Sequence, residues 1–139
     1  MDKKIILLIE DDQLDVISVE RSLNKIAHNY ELFTAYNGIE ALEILKDNPD
    51  NLPDIIILDL NMPKMNGIEF LKVIKHDDRY KNIDVFIMTT SGEEADRRTA
   101  EELGICGYLM KPLNFTDNNK RTDSLDAFFQ FHLRKILAS

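Results

Sequence analysis

A single cysteine, Cys106, stands in the 139 residues, so no internal disulfide forms and the chain suits a reducing compartment. Basic excess is also missing. Seventeen Lys and Arg against 25 Asp and Glu leave a formal net charge of −8 at pH 7. Without a basic stripe to neutralise phosphates, no nucleic-acid partner is expected. Nor is there a long hydrophobic run. The opening stretch Ile5–Ile9 is too short for a signal-peptide core and far too short to cross a bilayer, so no membrane contact and a cytoplasmic location are expected. Linkers, internal repeats and low-complexity tracts are absent, and the expectation is one domain over residues 1–139 with no output domain.

What is present is enough apolar material for a core: 44% hydrophobic residues beside 30% charged ones. Four short runs carry much of it, Ile5–Ile9, Ile55–Leu58, Val85–Met88 and Tyr108–Met110, with Glu31–Ala35 a more alternating fifth. Runs of this length, rich in Ile and Val, predict strands of a parallel sheet covered on both faces. Helical spacing fills the gaps: Leu14 and Ile17 leading to Leu23 and Ile26; Ile39, Leu42 and Leu45; Ile68, Leu71 and Ile74. A last stripe runs Leu125, Phe128, Phe129, Leu133, Ile136, Leu137. Asn37-Gly-Ile-Glu40, Asn66-Gly-Ile-Glu69 and Ser91-Gly-Glu-Glu94 mark helix starts by their capping-box pattern, and Asn114 to Asp123 reads as a polar loop.

Strand–helix alternation predicts an α/β fold, an open doubly wound parallel sheet covered by helices on both faces. Ligands of such sheets bind beyond the carboxyl ends of the strands. Those ends carry Glu10, Asp11 and Asp12 after the first run, Asp59 after the third, Thr89 and Thr90 after the fourth, and Lys111 after the fifth. Crowded carboxylates repel, and a hard cation such as Mg²⁺, which prefers oxygen ligands, relieves the repulsion. A carboxylate also attacks phosphorus to give an aspartyl phosphate, a task open to Asp59, with Lys111 offsetting charge and Thr89 donating its hydroxyl.

These motifs together resemble the receiver domain of two-component response regulators over essentially the whole chain, which implies a doubly wound (βα)5 flavodoxin-like sandwich with a five-stranded parallel sheet in the order 2-1-3-4-5. They are Glu10-Asp11, the stretch from Asp59 through Asn61 and Pro63 to Gly67, Thr89, and Gly107 through Tyr108 to Lys111-Pro112. The resemblance implies a phosphoacceptor at Asp59, fed by a histidine kinase or phosphotransfer protein, and no enzyme activity beyond its own phosphotransfer and dephosphorylation. It implies Mg²⁺ held by Asp11, Asp59 and the backbone carbonyl of Asn61, with Glu10 acting through a water. It assigns Thr89 and Tyr108 to a switch pair and Lys111 to phosphate binding. Thr90 stands where many receivers have a smaller residue, and the Thr89-Thr90-Ser91 run resembles stand-alone regulators that pair with phytochrome-type kinases.

Plainer roles account for some of these residues. Asp12 and Ser91 read as helix caps. Tyr108 fits an ordinary core position as well as a switch, and Cys106 reads as a small buried hydrophobe. The fourth helix, from Glu93 to Leu103, has little bulk to anchor it and is the element expected to move. Output is expected by protein contact, through homodimerisation at the fourth helix, fifth strand and fifth helix, where Phe131 falls off the buried stripe. The alternatives are a non-switching receiver-fold scaffold and a phosphorelay intermediate. A flavin-binding relative is disfavoured, because the acids after the first strand would repel its phosphate.

Overall fold

The computed structural model describes residues 3–90, 94–111 and 124–138. Strands and helices alternate in them: β1 (Lys4–Ile9), α1 (Gln13–Ile26), β2 (Tyr30–Ala35), α2 (Gly38–Asp47), β3 (Ile55–Leu58), α3 (Gly67–Lys75), β4 (Asp84–Thr89), α4 (Glu94–Leu103), β5 (Gly107–Met110), α5 (Ser124–His132) and α6 (Arg134–Ala138). The strands form one parallel sheet in the order β2-β1-β3-β4-β5. This is the flavodoxin-like arrangement that the resemblance implies.

Alternation of side chains along the central strands divides the core in two. Ile6, Leu8, Ile55, Ile57, Phe86 and Met88 face α1 and α5, meeting Val16, Val19, Leu23, Leu125, Phe129 and Leu133. Leu7, Ile9, Ile56, Leu58, Val85 and Ile87 face the other way, onto Ala41, Leu45, Phe70, Leu71, Ile74 and Ala100 of α2, α3 and α4. Helix starts follow the predicted chemistry. Asn37 accepts from the Glu40 amide, and Asn66 and Glu69 complete a reciprocal capping box.

Several expectations are corrected. Leu14 and Ile17 are 74% and 52% exposed; the buried stripe of α1 is Val16, Val19 and Leu23, turned to meet both the sheet and α5. Ile39 is likewise largely exposed. The run at β5 is only partly buried, because β5 ends the sheet and has a neighbour on one side only. Cys106 is exposed, since it precedes this edge strand; its amide donates to the Val85 carbonyl and its Sγ lies 3.6 Å from Asp84 Oδ1. The last apolar stripe is divided between α5 and α6 at Leu133. The Ser91 cap, Pro112 and the Asn114–Asp123 loop lie outside the described residues. No helix among the described residues is long and apolar enough to cross a membrane.

Candidate phosphoacceptor and cation site

Because the strands are parallel, β1, β3, β4 and β5 deliver their next residues to one edge of the sheet. Glu10 continues β1, its amide donating to the Ala35 carbonyl at 2.9 Å; Asp59 continues β3, its amide donating to the Ile9 carbonyl at 3.0 Å. Lys111 continues β5 in the same way, donating to the Thr89 carbonyl at 2.8 Å. Backbone pairing thus fixes where these three side chains begin. Glu10, Asp59 and Thr89 are buried, whereas Asp11 is exposed at the rim.

The carboxylate oxygens of Glu10, Asp11 and Asp59 lie within 4.8 Å of one another. Such a set of hard oxygen donors fits a divalent cation of the Mg²⁺ type. Glu10 Oε2 accepts from the Asp11 amide at 3.1 Å, and Glu10 Oε1 from Lys111 Nζ at 2.6 Å. Burial and the neighbouring Asp59 raise the Glu10 carboxyl to about 8, more than the Lys111 contact lowers it. Burial alone would depress the Lys111 ammonium; Asp15 and Glu10 reverse this and hold it above the usual lysine range.

Asp59 Oδ1 accepts from the Asn61 amide at 3.1 Å, and Asp59 Oδ2 lies 3.5 Å from Lys111 Nζ. The Asn61 side chain spans the cleft, donating to Thr90 Oγ1 at 2.9 Å and to Thr89 Oγ1 at 3.3 Å. Between β3 and α3, Lys64 adopts φ 63°, a left-handed conformation that a non-glycine residue takes at some cost. Asp11, Leu60, Asn61, Met62, Pro63 and Asp96 help line an open cleft of about 750 Å³ beside the acids. Tyr108 is half-buried against the α2–α4 side of the core, with the Arg97 guanidinium 5.1 Å from its ring centroid.

All the strand-end residues singled out in the sequence therefore meet at this edge, with Tyr108 one strand-length behind. Asp12 is the N-cap of α1, accepting from the Leu14 amide. One residue of the cluster was missed. Asp15, in the first turn of α1, lies 2.5 Å from Lys111 Nζ. Its contact runs from α1 to the end of β5, and no pattern in the first turn of the helix marks it.

Residues 6–122 match the family described as the response regulator receiver domain. Response regulator Rcp1 of Synechocystis sp. is 34% identical over 130 residues, covering 91% of this chain and 88% of that protein. The crystal structure of its Mn(2+)-bound form aligns with a TM-score of 0.75 at 35% identity, over 81% of this chain and 84% of that one. The phosphorylated cyanobacterial phytochrome response regulator RcpA aligns with a TM-score of 0.80 at 30% identity, over 96% of each chain. By its fold, the acids gathered at its strand ends and these likenesses, the chain belongs to the response regulator receiver domains, a family of signalling domains in which phosphorylation on an aspartate is general.

Proposed function

We propose that Asp59 is the phosphoacceptor of this response regulator receiver domain, taking its phosphoryl group from the phosphohistidine of a histidine kinase or phosphotransfer protein. The observation that carries this reading is the meeting of three carboxylates with the Lys111 ammonium at the edge where Thr89 also ends its strand. An Asp59 oxygen attacks phosphorus as the phosphorus–nitrogen bond breaks, and the departing imidazole takes a proton from solvent. Hydrolysis later returns the carboxylate and inorganic phosphate. Glu10, Asp11, Asp59 and the Asn61 carbonyl would hold Mg²⁺, which when bound neutralises charge on the phosphoryl oxygens.

The chain's own residues do the rest. Lys111 stands beside Asp59 to offset the roughly −1.5 to −2 charges that phosphorylation adds. The Thr89 hydroxyl leaves the Asn61 amide to donate to a phosphoryl oxygen, and Tyr108 follows into the space vacated. That movement alters the surface formed by α4, β5 and α5, where Met110 and Phe131 are 48% and 82% exposed. This surface is read as the place where a second copy docks.

The test is incubation with Mg²⁺ and acetyl phosphate. One hydroxylamine-labile phosphoryl mass should appear on the wild type and not on Asp59→Asn. Equal labelling of the two would refute the assignment. Light scattering of the beryllofluoride-loaded protein should report a dimer, and a monomer at high concentration with and without beryllofluoride would remove the docking surface from the reading.

A further inference from the structure

Three carboxylates surround the Lys111 ammonium, but unevenly. Nζ lies 2.5 Å from Asp15 Oδ2 and 2.6 Å from Glu10 Oε1, against 3.5 Å from Asp59 Oδ2. An ammonium has three donors on a flexible stem, and the two short contacts draw it towards α1 and away from Asp59. Lys111 and Asp15 are only 11% and 20% exposed, so water screens their attraction poorly. Asp15 is fixed from behind, because the helix that carries it is anchored by Val16 and Val19 and capped by Asp12.

We infer that Asp15 is a positioning residue for Lys111: it holds the ammonium on the α1 side of the cleft, off Asp59, and yields it when a phosphoryl group is attached there. The inference rests on Asp59 being the phosphoacceptor. With Lys111 held back, Asp59 Oδ2 has a long lysine contact in place of a tight ion pair and stays open to a cation and to phosphorus. Once a phosphoryl group adds its charge, it outweighs a single carboxylate and attracts the ammonium. Asp15 thereby favours the unmodified state over the modified one, and its removal shifts that balance the other way.

The experiment uses the full chain and the variants Asp15→Asn and Asp15→Ser, either of which suffices if the other folds poorly, with thermal unfolding to confirm the fold. In Mg²⁺-free protein, the ¹⁵N ammonium resonance of Lys111, assigned by its loss in Lys111→Met, should move in both variants and return in Asp15→Glu. It should stay in place in Asp12→Asn, which removes a neighbouring charge but keeps the helix cap. In a titration with beryllofluoride and Mg²⁺, Asp15→Asn should reach half-saturation at a concentration about fivefold lower than wild type. In the Lys111→Met background, Asp15→Asn should change nothing. An unmoved ammonium resonance would overturn the inference. So would a fivefold shift that persists without Lys111, since that is a field effect of the lost charge. A wild type that takes up no beryllofluoride counts instead against the phosphoacceptor reading, and the ammonium resonance still reports the Asp15–Lys111 contact.

Discussion

Gly67 opens α3 directly behind the backbone that carries Asp59. A Cβ at this position would stand 2.5 Å from the Asp59 carbonyl oxygen, 2.6 Å from Leu60 Cα and 2.9 Å from Leu60 Cδ2. The first two are backbone atoms with no rotamer to escape into. Carbon atoms pack best at about 3.5–4.0 Å, so Gly67→Ala forces α3 and the loop after β3 apart by roughly 1 Å. The same movement stretches the bond from the Gly67 amide to the Leu60 carbonyl, now 3.0 Å. Overpacking costs about 1–3 kcal/mol, and two backbone clashes place this case near ~3. Better helix propensity and a stiffer unfolded chain return about 1 kcal/mol, leaving a net loss of about 2 kcal/mol. Urea unfolding should show a lower midpoint at an unchanged slope. Labelling by acetyl phosphate should also slow, because the displaced carbonyl belongs to Asp59, the proposed acceptor. Gly104→Ala is the matched control: its φ is +96° with nothing within 4 Å of the added methyl, so it strains the backbone by about 1–2 kcal/mol without touching the site. A Gly67→Ala protein with the wild-type midpoint, or one that is destabilised yet labels at the wild-type rate, would refute the reasoning.

Further predictions concern two buried carboxyls. Glu10 is raised in the folded chain from 4.5 to about 8, so between these values the folded state keeps a proton that the unfolded state has released. Stability in EDTA is therefore present in full below about 4.5 and is lost as pH rises through 8; urea midpoints at pH 6 and 8.5 should differ in that direction, and Glu10→Gln should flatten the difference. Because protons and cation compete for the same oxygens, Mg²⁺ affinity measured by calorimetry should rise with pH up to about 8, and a flat profile would contradict the placement of Glu10. On the α1–α5 face of the sheet, Asp126 is 5% exposed and accepts from Ser22 Oγ at 2.5 Å and Lys25 Nζ at 2.7 Å, tying α5 to α1. Asp126→Ala should cost about 1–3 kcal/mol by leaving the Ser22 hydroxyl unpaired, and Ser22→Ala in the same chain should recover part of it, as read by urea unfolding.

Legibility in the sequence followed how local each signal was. Strand cores, caps and strand-end acids were readable because each rests on a short pattern with one dominant cause: a run of β-branched residues, an Asn three before a Glu, a carboxylate after a buried run. What failed depended on partners distant in sequence. Leu14 and Ile17 have helical spacing as good as that of Val16 and Val19; only the position of α5, more than a hundred residues later, decides which pair is covered. Cys106 was misplaced for the same reason, since exposure there depends on β5 having no neighbour beyond it. Asp15 is a third case. Its contact spans from α1 to the end of β5, and nothing within the first turn of α1 announces a lysine at position 111.

The division of the core also sets the direction in which a signal can travel. Asp59 sits between two sets of partners: Glu10, Asp15 and Lys111 on the α1 side, and Asn61, Thr89 and Thr90 on the α3–α4 side. With Asp59 as the proposed acceptor, a phosphoryl group there would pull on both. Displacing α1 would uncover Val16, Val19 and Leu23, each worth about 1.5–3 kcal/mol of burial, and would break the Asp126 clasp as well. In α4 only Ala100 is fully buried, a methyl worth about 0.8 kcal/mol, with Leu103 partly covered. On the proposed reading, the same pull would therefore move α4 sooner than α1. Arg97 of α4 lies over the Tyr108 ring, so a shift of α4 also changes what covers the tyrosine. Unequal anchoring, rather than any special contact, would on this reading make one flank of the cleft the fixed support and the other the responsive surface.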